Sequence, residues 1–113
     1  MSEVFINGRF VERSEAQVSA FDAGFQHGVG LFETMLGVRT GSDATIVGLD
    51  EHIDRLIESA RQLRLSEDLK ATGLAEAVRQ TFERCGLDRA RLRLTVTGGD
   101  LNMLETEGAS NAR

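Results

Sequence analysis

Residues 24–37 read GFQHGVGLFETMLG, a stretch that joins a glycine-rich loop to the apolar run of a strand. The glycines of the loop stand at positions 24, 28 and 30, and the apolar run begins at Leu31. Glycine weakens a strand and loses more backbone entropy on folding than other residues. Three glycines at this point therefore indicate that something approaches the backbone closely.

The strand that follows the loop presents two different faces. Alternate side chains of a strand point to opposite sides of the sheet. The two sets are Phe32, Thr34 and Leu36 on one face and Leu31, Glu33 and Met35 on the other. The turn-rich segment TGSD, residues 40–43, separates residues 31–38 from residues 44–47, so these two runs are predicted to form a hairpin.

The remaining elements can be predicted from their periodicity. VFINGRFVE, residues 4–12, is predicted to be a hairpin that turns at Asn7-Gly8. One helix is predicted from Leu49, with an apolar stripe that continues to Leu63, and a second from Thr72 to Cys85, with Gly86 at its end. ARLRLTVTGG, residues 90–99, alternates strictly and is predicted to be a strand.

These elements predict an α+β domain, an antiparallel sheet with both helices on one face. The apolar side of the last strand, formed by Leu92, Leu94 and Val96, supplies the surface on which the helix stripes pack. Beyond about residue 104 the sequence loses its periodicity and becomes small and polar. We therefore expect a domain over residues 1–104 and the start of an interdomain linker over residues 105–113.

Composition excludes several classes of function. The 113 residues carry a net charge of −5, which argues against nucleic acid and anionic membranes as partners. The sequence contains no apolar run long enough to span a bilayer, and its N-terminus does not resemble a signal peptide. One cysteine, Cys85, cannot form an internal disulfide, so we expect a reduced, cytoplasmic protein.

Arginines provide the candidate binding groups. Arg91 and Arg93 share the polar face of the last strand, either as an exposed sheet surface or as an anion site that uses planar guanidinium forks. Arg55 lies at the edge of the first helix stripe, in line with His52 and Ser59. It is either a solvated arginine whose stem covers the core or a second anion anchor.

Three common motifs are absent from the sequence. The glycines match neither a dinucleotide-binding fingerprint nor a P-loop. His27, His52 and Cys85 lack the spacing of metal ligands, so no metal site is predicted. The sequence contains no serine in a nucleophile elbow, so a hydrolytic triad has little support.

Four segments in series resemble one family. INGRFVE, FDAGFQHGVGLFETM, LDEHIDRLIESARQL and RLRLTVTGGD are similar, in order and separation, to the N-terminal domain of the fold-type IV pyridoxal-phosphate enzymes. These are the class IV aminotransferases, which include branched-chain aminotransferase, D-amino acid aminotransferase and aminodeoxychorismate lyase. The resemblance covers residues 4–100 and implies pyridoxal 5'-phosphate as the cofactor of the complete enzyme, which is typically a homodimer.

The resemblance also implies roles for individual residues. Arg55 matches the arginine that binds the cofactor phosphate, and Arg93 matches the arginine that holds a substrate carboxylate. Phe32 matches an aromatic residue of the substrate pocket, and His27 stands where branched-chain enzymes have a pocket tyrosine. Arg91 also replaces a tyrosine of those enzymes, a departure that leaves the substrate open. The glycine loop would face the cofactor cleft.

The string FET at residues 32–34 is most similar to aminodeoxychorismate lyases, and Thr34 would supply a hydroxyl to the pocket. The resemblance therefore favours a lyase or a lyase-like aminotransferase. Branched-chain and D-amino acid aminotransferases are the alternatives. The substrate would be an amino acid, a keto acid or aminodeoxychorismate.

The lysine that this chemistry requires is not evident in the chain. Lys70, the only lysine, lies in the predicted connection between the helices, and the family lysine comes from the C-terminal domain. We therefore predict no catalytic residue here and expect this chain to be inactive alone. Either it is the N-terminal part of an enzyme or it is a stand-alone domain for binding or dimerisation. The linker-like end favours the first interpretation.

Overall fold

A computed structural model of the chain describes residues 4–65 and 68–99. The strands are β1 (Val4–Ile6), β2 (Arg9–Val11), β3 (Gly30–Thr40), β4 (Asp43–Ile46) and β5 (Arg89–Thr97). The helices are α1 (Ala23–His27), α2 (Leu49–Gln62) and α3 (Ala71–Cys85), and a short 3-10 helix covers Arg13–Glu15.

Every strand pairing among the described residues is antiparallel. The larger sheet has the order β4-β3-β5, and β1 and β2 form a separate two-stranded sheet. Asn7 and Gly8 have φ angles of 49° and 90°, as a tight two-residue hairpin turn requires. The structure confirms the predicted α+β fold. The first hairpin does not join the larger sheet, since among the described residues β1 and β2 pair only with each other.

The core lies between one face of the larger sheet and the two long helices. Met35 and Leu92 are directly opposite each other on β3 and β5, and both are buried. Ile53 of α2 and Phe82 of α3 are each only 1% exposed and pack onto this face. Leu49, Ala75 and Val78 complete the buried cluster. Both apolar helix stripes therefore point to the same side of the sheet, as the periodicity predicts.

The predicted glycine loop is wrong over residues 23–27, which form the short helix α1. Asp22 caps this helix: its Oδ2 accepts a hydrogen bond from the Gly24 N–H at 2.7 Å. Its Oδ1 accepts another from the Thr97 hydroxyl at 2.8 Å, which ties the helix to the end of β5. Gly28 then ends the helix with a φ of 69°.

Gly24 has a structural reason within the chain itself. A Cβ at this position would lie 2.7 Å from Cγ2 of Thr97, closer than packed carbon atoms can approach. The close approach that the sequence indicates is thus at least partly that of α1 to β5. The expected contact of the glycine segment with a cofactor remains a prediction.

Two further expectations concern the linker and membrane-spanning segments. The predicted linker, residues 105–113, lies outside the described residues. Within the described part of the chain, no helix is both long enough and apolar enough to cross a bilayer.

Candidate functional site

The face of the larger sheet opposite the core is open and carries most of the candidate residues. Thr34 pairs with Arg93 across β3 and β5, and Phe32 pairs with Thr95. Leu36 pairs with Arg91. All six side chains are exposed. We call this surface the open face. Alternation groups the side chains within each strand as the sequence predicts, and the register of β3 against β5 brings the two groups together.

Arg93 is already ordered by a neighbour on the open face. Its guanidinium carbon lies 3.9 Å from the ring centroid of Phe32, which is the stacked geometry of a cation–π contact. Phe32 is the diagonal neighbour of Arg93, since Thr34 is the residue directly opposite. The contact leaves Phe32 55% exposed, so the pair forms a cationic and aromatic surface that a ligand can reach.

Arg55 lies on the other side of the sheet and is bound by Glu33. Arg55 Nε donates to Oε2 of Glu33 at 2.9 Å, and Nη2 donates to Oε1 at 2.9 Å. This is a bidentate pair, in which the two N–H groups match the two carboxylate oxygens. The Glu33 side chain is 13% exposed and that of Arg55 is 62% exposed. The arginine is therefore anchored at one end and open to solvent at the other.

His52 is the third member of this cluster, and its Nδ1 lies 2.6 Å from Oε1 of Glu33. Hydrogen bonds from Arg55, the largest cause, and from His52 lower the pKa of the Glu33 carboxyl from 4.5 to about 2. The carboxylate is thus ionised and can only accept, so His52 Nδ1 must carry the proton of this bond. The 3.2 Å approach of Arg55 Nη2 to the same Nδ1 then joins two donors and is not a hydrogen bond.

The sheet separates the predicted site residues into two groups. Phe32, Thr34, Arg91 and Arg93 lie on the open face, whereas Arg55 packs with Glu33 on the side that carries the helices. His27 is the last residue of α1 and lies exposed near the start of β3. Lys70 is exposed and immediately precedes α3.

Glu33 and His52 were missed as parts of the site by sequence reasoning. Alternation assigns Glu33 to the face with Leu31 and Met35, and a carboxylate at such a position needs a partner. His52 and Arg55 are three residues apart, so they lie on one helix face. These two signals could have suggested the cluster.

No group of three or more metal-binding side chains occurs in residues 4–65 and 68–99.

Comparison with known proteins identifies the family. The family model described as amino-transferase class IV matches residues 30–112, which is most of the chain. The chain belongs to the class IV aminotransferase family. The matched segment contains both the open face and the cluster of Glu33, His52 and Arg55.

Curated class IV relatives carry three different activities in their names. A putative branched-chain-amino-acid aminotransferase of Methanocaldococcus jannaschii is 38% identical and is aligned over 86% of this chain and 32% of its own length. Aminodeoxychorismate lyase of Bacillus subtilis is 30% identical over 85% and 32%. D-alanine aminotransferase of Staphylococcus haemolyticus is 29% identical over 88% and 34%. The chain spans about a third of the length of the curated relatives it matches.

Solved structures support the same relationship. Branched-chain aminotransferase from the archaeon Thermoproteus uzoniensis, solved with norvaline, matches with a TM-score of 0.79 and 26% identity. The match covers 95% of this chain and 37% of that one. A hypothetical aminotransferase from Mycobacterium tuberculosis, in its pyridoxal-phosphate-bound form, matches at 32% identity and a TM-score of 0.62, over 83% and 32%. The predicted family and its small α+β domain are thereby confirmed.

Proposed function

We propose that this chain is the N-terminal domain of a pyridoxal-phosphate-dependent enzyme that acts on carboxylate-bearing amines, as an aminodeoxychorismate lyase or a lyase-like aminotransferase. One observation carries the proposal: Arg93 and Arg91 stand on an open sheet face beside Phe32 and Thr34, in a chain of the class IV family. The domain would supply binding groups, and the remainder of the enzyme would supply the catalytic lysine.

Pyridoxal 5'-phosphate is the cofactor of the complete enzyme, and the relative from Mycobacterium tuberculosis that was solved with it agrees with the prediction. When bound, this cofactor withdraws electrons from the carbon that carries the amine. Arg55 fits its phosphate because the guanidinium is 62% exposed and keeps N–H groups that Glu33 does not use. The resemblance of EHIDRL to the family motif is the reason to assign the phosphate to this arginine.

The open face fits the substrate. Arg93 would hold a carboxylate through its planar guanidinium fork, with the ring of Phe32 stacked against it. Arg91 lies on the same face two residues away, which is about 7 Å along a strand, so a second anionic group of the substrate could bind there. Thr34 would place its hydroxyl beside Arg93, where it can hold a proton-transferring group or water. His27 would line the pocket near the start of β3.

Two arginines favour a substrate with two carboxylates over an aliphatic amino acid with one. Aminodeoxychorismate has two, and FET at residues 32–34 resembles the lyases. The alternative is a branched-chain or D-amino acid aminotransferase. The 38% identity to the relative from Methanocaldococcus jannaschii favours the branched-chain type. A stand-alone binding or dimerisation domain is the second alternative.

The test is a substrate comparison on the complete enzyme. We expect pyruvate release from aminodeoxychorismate, or amino transfer among dicarboxylates, to exceed transfer to 2-oxoisocaproate in kcat/KM. Higher kcat/KM for 2-oxoisocaproate would establish the branched-chain alternative. If no preparation showed a cofactor-dependent reaction, the result would favour the stand-alone, non-catalytic domain. Sedimentation of the same enzyme tests the homodimer that we propose with it.

A further inference from the structure

We propose that Glu33 is the positioning residue of Arg55: with His52 it holds one edge of the guanidinium so that the other edge meets the cofactor phosphate. This inference rests on the proposed function, since it concerns the same phosphate. It assigns work to two residues, Glu33 and His52, for which neither the sequence patterns nor the relatives' names provide a role.

Glu33 leaves one edge of the Arg55 guanidinium available. A guanidinium has five N–H groups, and Glu33 uses the edge formed by Nε and Nη2. Because His52 Nδ1 is itself a donor to Glu33, it takes none of the arginine hydrogens. Both hydrogens of Nη1 and one of Nη2 therefore remain. One hydrogen of Nη1 and the remaining hydrogen of Nη2 form the adjacent edge, a second fork that matches two phosphate oxygens.

The Glu33 carboxylate also limits the movement of this free edge. Arginine loses much rotamer freedom when it is immobilised, and binding must offset that loss if the free side chain is mobile. Glu33 removes part of this cost in advance, since its side chain is 13% exposed and is held by both Arg55 and His52. The backbone of Glu33 is in turn held in the sheet, since Glu33 pairs with Leu94 of β5.

Strand β3 carries residues of both faces of the sheet. Glu33 lies between Phe32 and Thr34 in β3, so its backbone is continuous with the residues proposed to meet the substrate. The same strand thus fixes Arg55 on one side and the substrate groups on the other.

The anchoring can be measured on the 113-residue chain. We expect hydrogen exchange of the Arg55 Nε–H with water, followed by ¹⁵N NMR, to be about tenfold slower than that of Arg61, whose contact with Glu58 uses Nη1. Glu33→Gln should raise the Arg55 rate to that of Arg61. Glu58→Gln, which removes an exposed carboxylate from the same helix, is the matched control and should leave Arg55 unchanged. Equal Arg55 and Arg61 rates in the unsubstituted chain would overturn the proposal without any variant.

Cofactor retention by the complete enzyme tests the consequence. We expect Glu33→Gln to raise the dissociation constant of pyridoxal phosphate about tenfold, because binding must then order Arg55. In an Arg55→Ala background the same substitution should have no further effect, since Glu33 acts through Arg55. Equal effects of Glu33→Gln in both backgrounds would show that Glu33 is merely structural.

The pattern of results separates this inference from the proposed function. If Arg55→Ala leaves the dissociation constant unchanged, the phosphate assignment itself is wrong. If Arg55→Ala weakens cofactor binding and Glu33→Gln does not, Arg55 binds the phosphate and only the positioning role of Glu33 is lost. If both weaken it and the double variant resembles Arg55→Ala alone, both statements stand.

Discussion

Replacing Glu33 by glutamine should destabilise the chain at neutral pH. The destabilisation should be much smaller in acid. The pKa of the Glu33 carboxyl is lowered from 4.5 to about 2 because Arg55 and His52 donate hydrogen bonds to its charged form. A group whose folded-state pKa is depressed stabilises the fold above its unfolded-state pKa. This contribution is therefore complete above about pH 5 and is lost as the pH falls from 4.5 toward 2.

The size of the effect follows from the same two values. At ~1.4 kcal/mol for each pH unit, lowering the pKa from 4.5 to about 2 corresponds to about 3 kcal/mol as an upper bound. Arg55 is 62% exposed, so solvent screens its interaction with the carboxylate. We therefore expect Glu33→Gln to lower the free energy of unfolding by about 1–2 kcal/mol at pH 7, and by less than half of that at pH 3.

Urea unfolding followed by circular dichroism at pH 7, 5 and 3 measures this difference. The chain has neither tryptophan nor tyrosine, so the backbone signal is a more suitable probe than intrinsic fluorescence. Glu58→Gln serves as the control, because Glu58 and Arg61 form an exposed pair on α2. If the difference in unfolding free energy between Glu33→Gln and the unsubstituted chain stayed the same from pH 7 to pH 3, the charge of Glu33 would not be what stabilises the fold.

Three further substitutions test the phosphate site, the open face and the packing of α1. Arg55→Ala should weaken pyridoxal phosphate binding by the complete enzyme about 10- to 100-fold in equilibrium dialysis, and unchanged affinity would remove Arg55 from the site. Arg93→Lys should lower kcat/KM far more for carboxylate-bearing amines than for matched amines without a carboxylate, because lysine lacks the fork; equal losses would make Arg93 structural. Gly24→Ala should destabilise the chain by about 1–3 kcal/mol in urea unfolding, because its Cβ meets Thr97. Gly73→Ala in α3 has room for a Cβ and should be neutral or slightly stabilising, so equal destabilisation by both would contradict the packing argument.

Local periodicity was sufficient to predict the layers of this fold. Alternation grouped Phe32 with Thr34 in β3 and Arg91 with Arg93 in β5, and only the register of the two strands shows that these pairs share one face. The apolar stripes of the helices pack against the sheet as predicted, with Ile53 and Phe82 buried there. Such patterns succeed because a strand or helix with one apolar side has few ways to bury it.

Contacts between distant segments were not predictable in the same way. Glu33 meets His52 and Arg55 only because the start of α2 lies over β3. Helix α1 forms from five residues that include a glycine, and its stability depends on Asp22, which also binds Thr97 far along the chain. A short helix has little intrinsic stability, so tertiary contacts decide whether it forms.

The lysine to which the cofactor attaches shows whether this chain is the binding domain of a larger enzyme. The complete enzyme is incubated with pyridoxal phosphate, reduced with borohydride and digested, and the modified lysine is mapped by mass spectrometry. We predict a stoichiometric label on a lysine beyond residue 113 and none on Lys70, the only lysine of this chain. Stoichiometric labelling of Lys70, together with turnover by the 113-residue chain alone, would contradict the assignment of these residues as a binding domain.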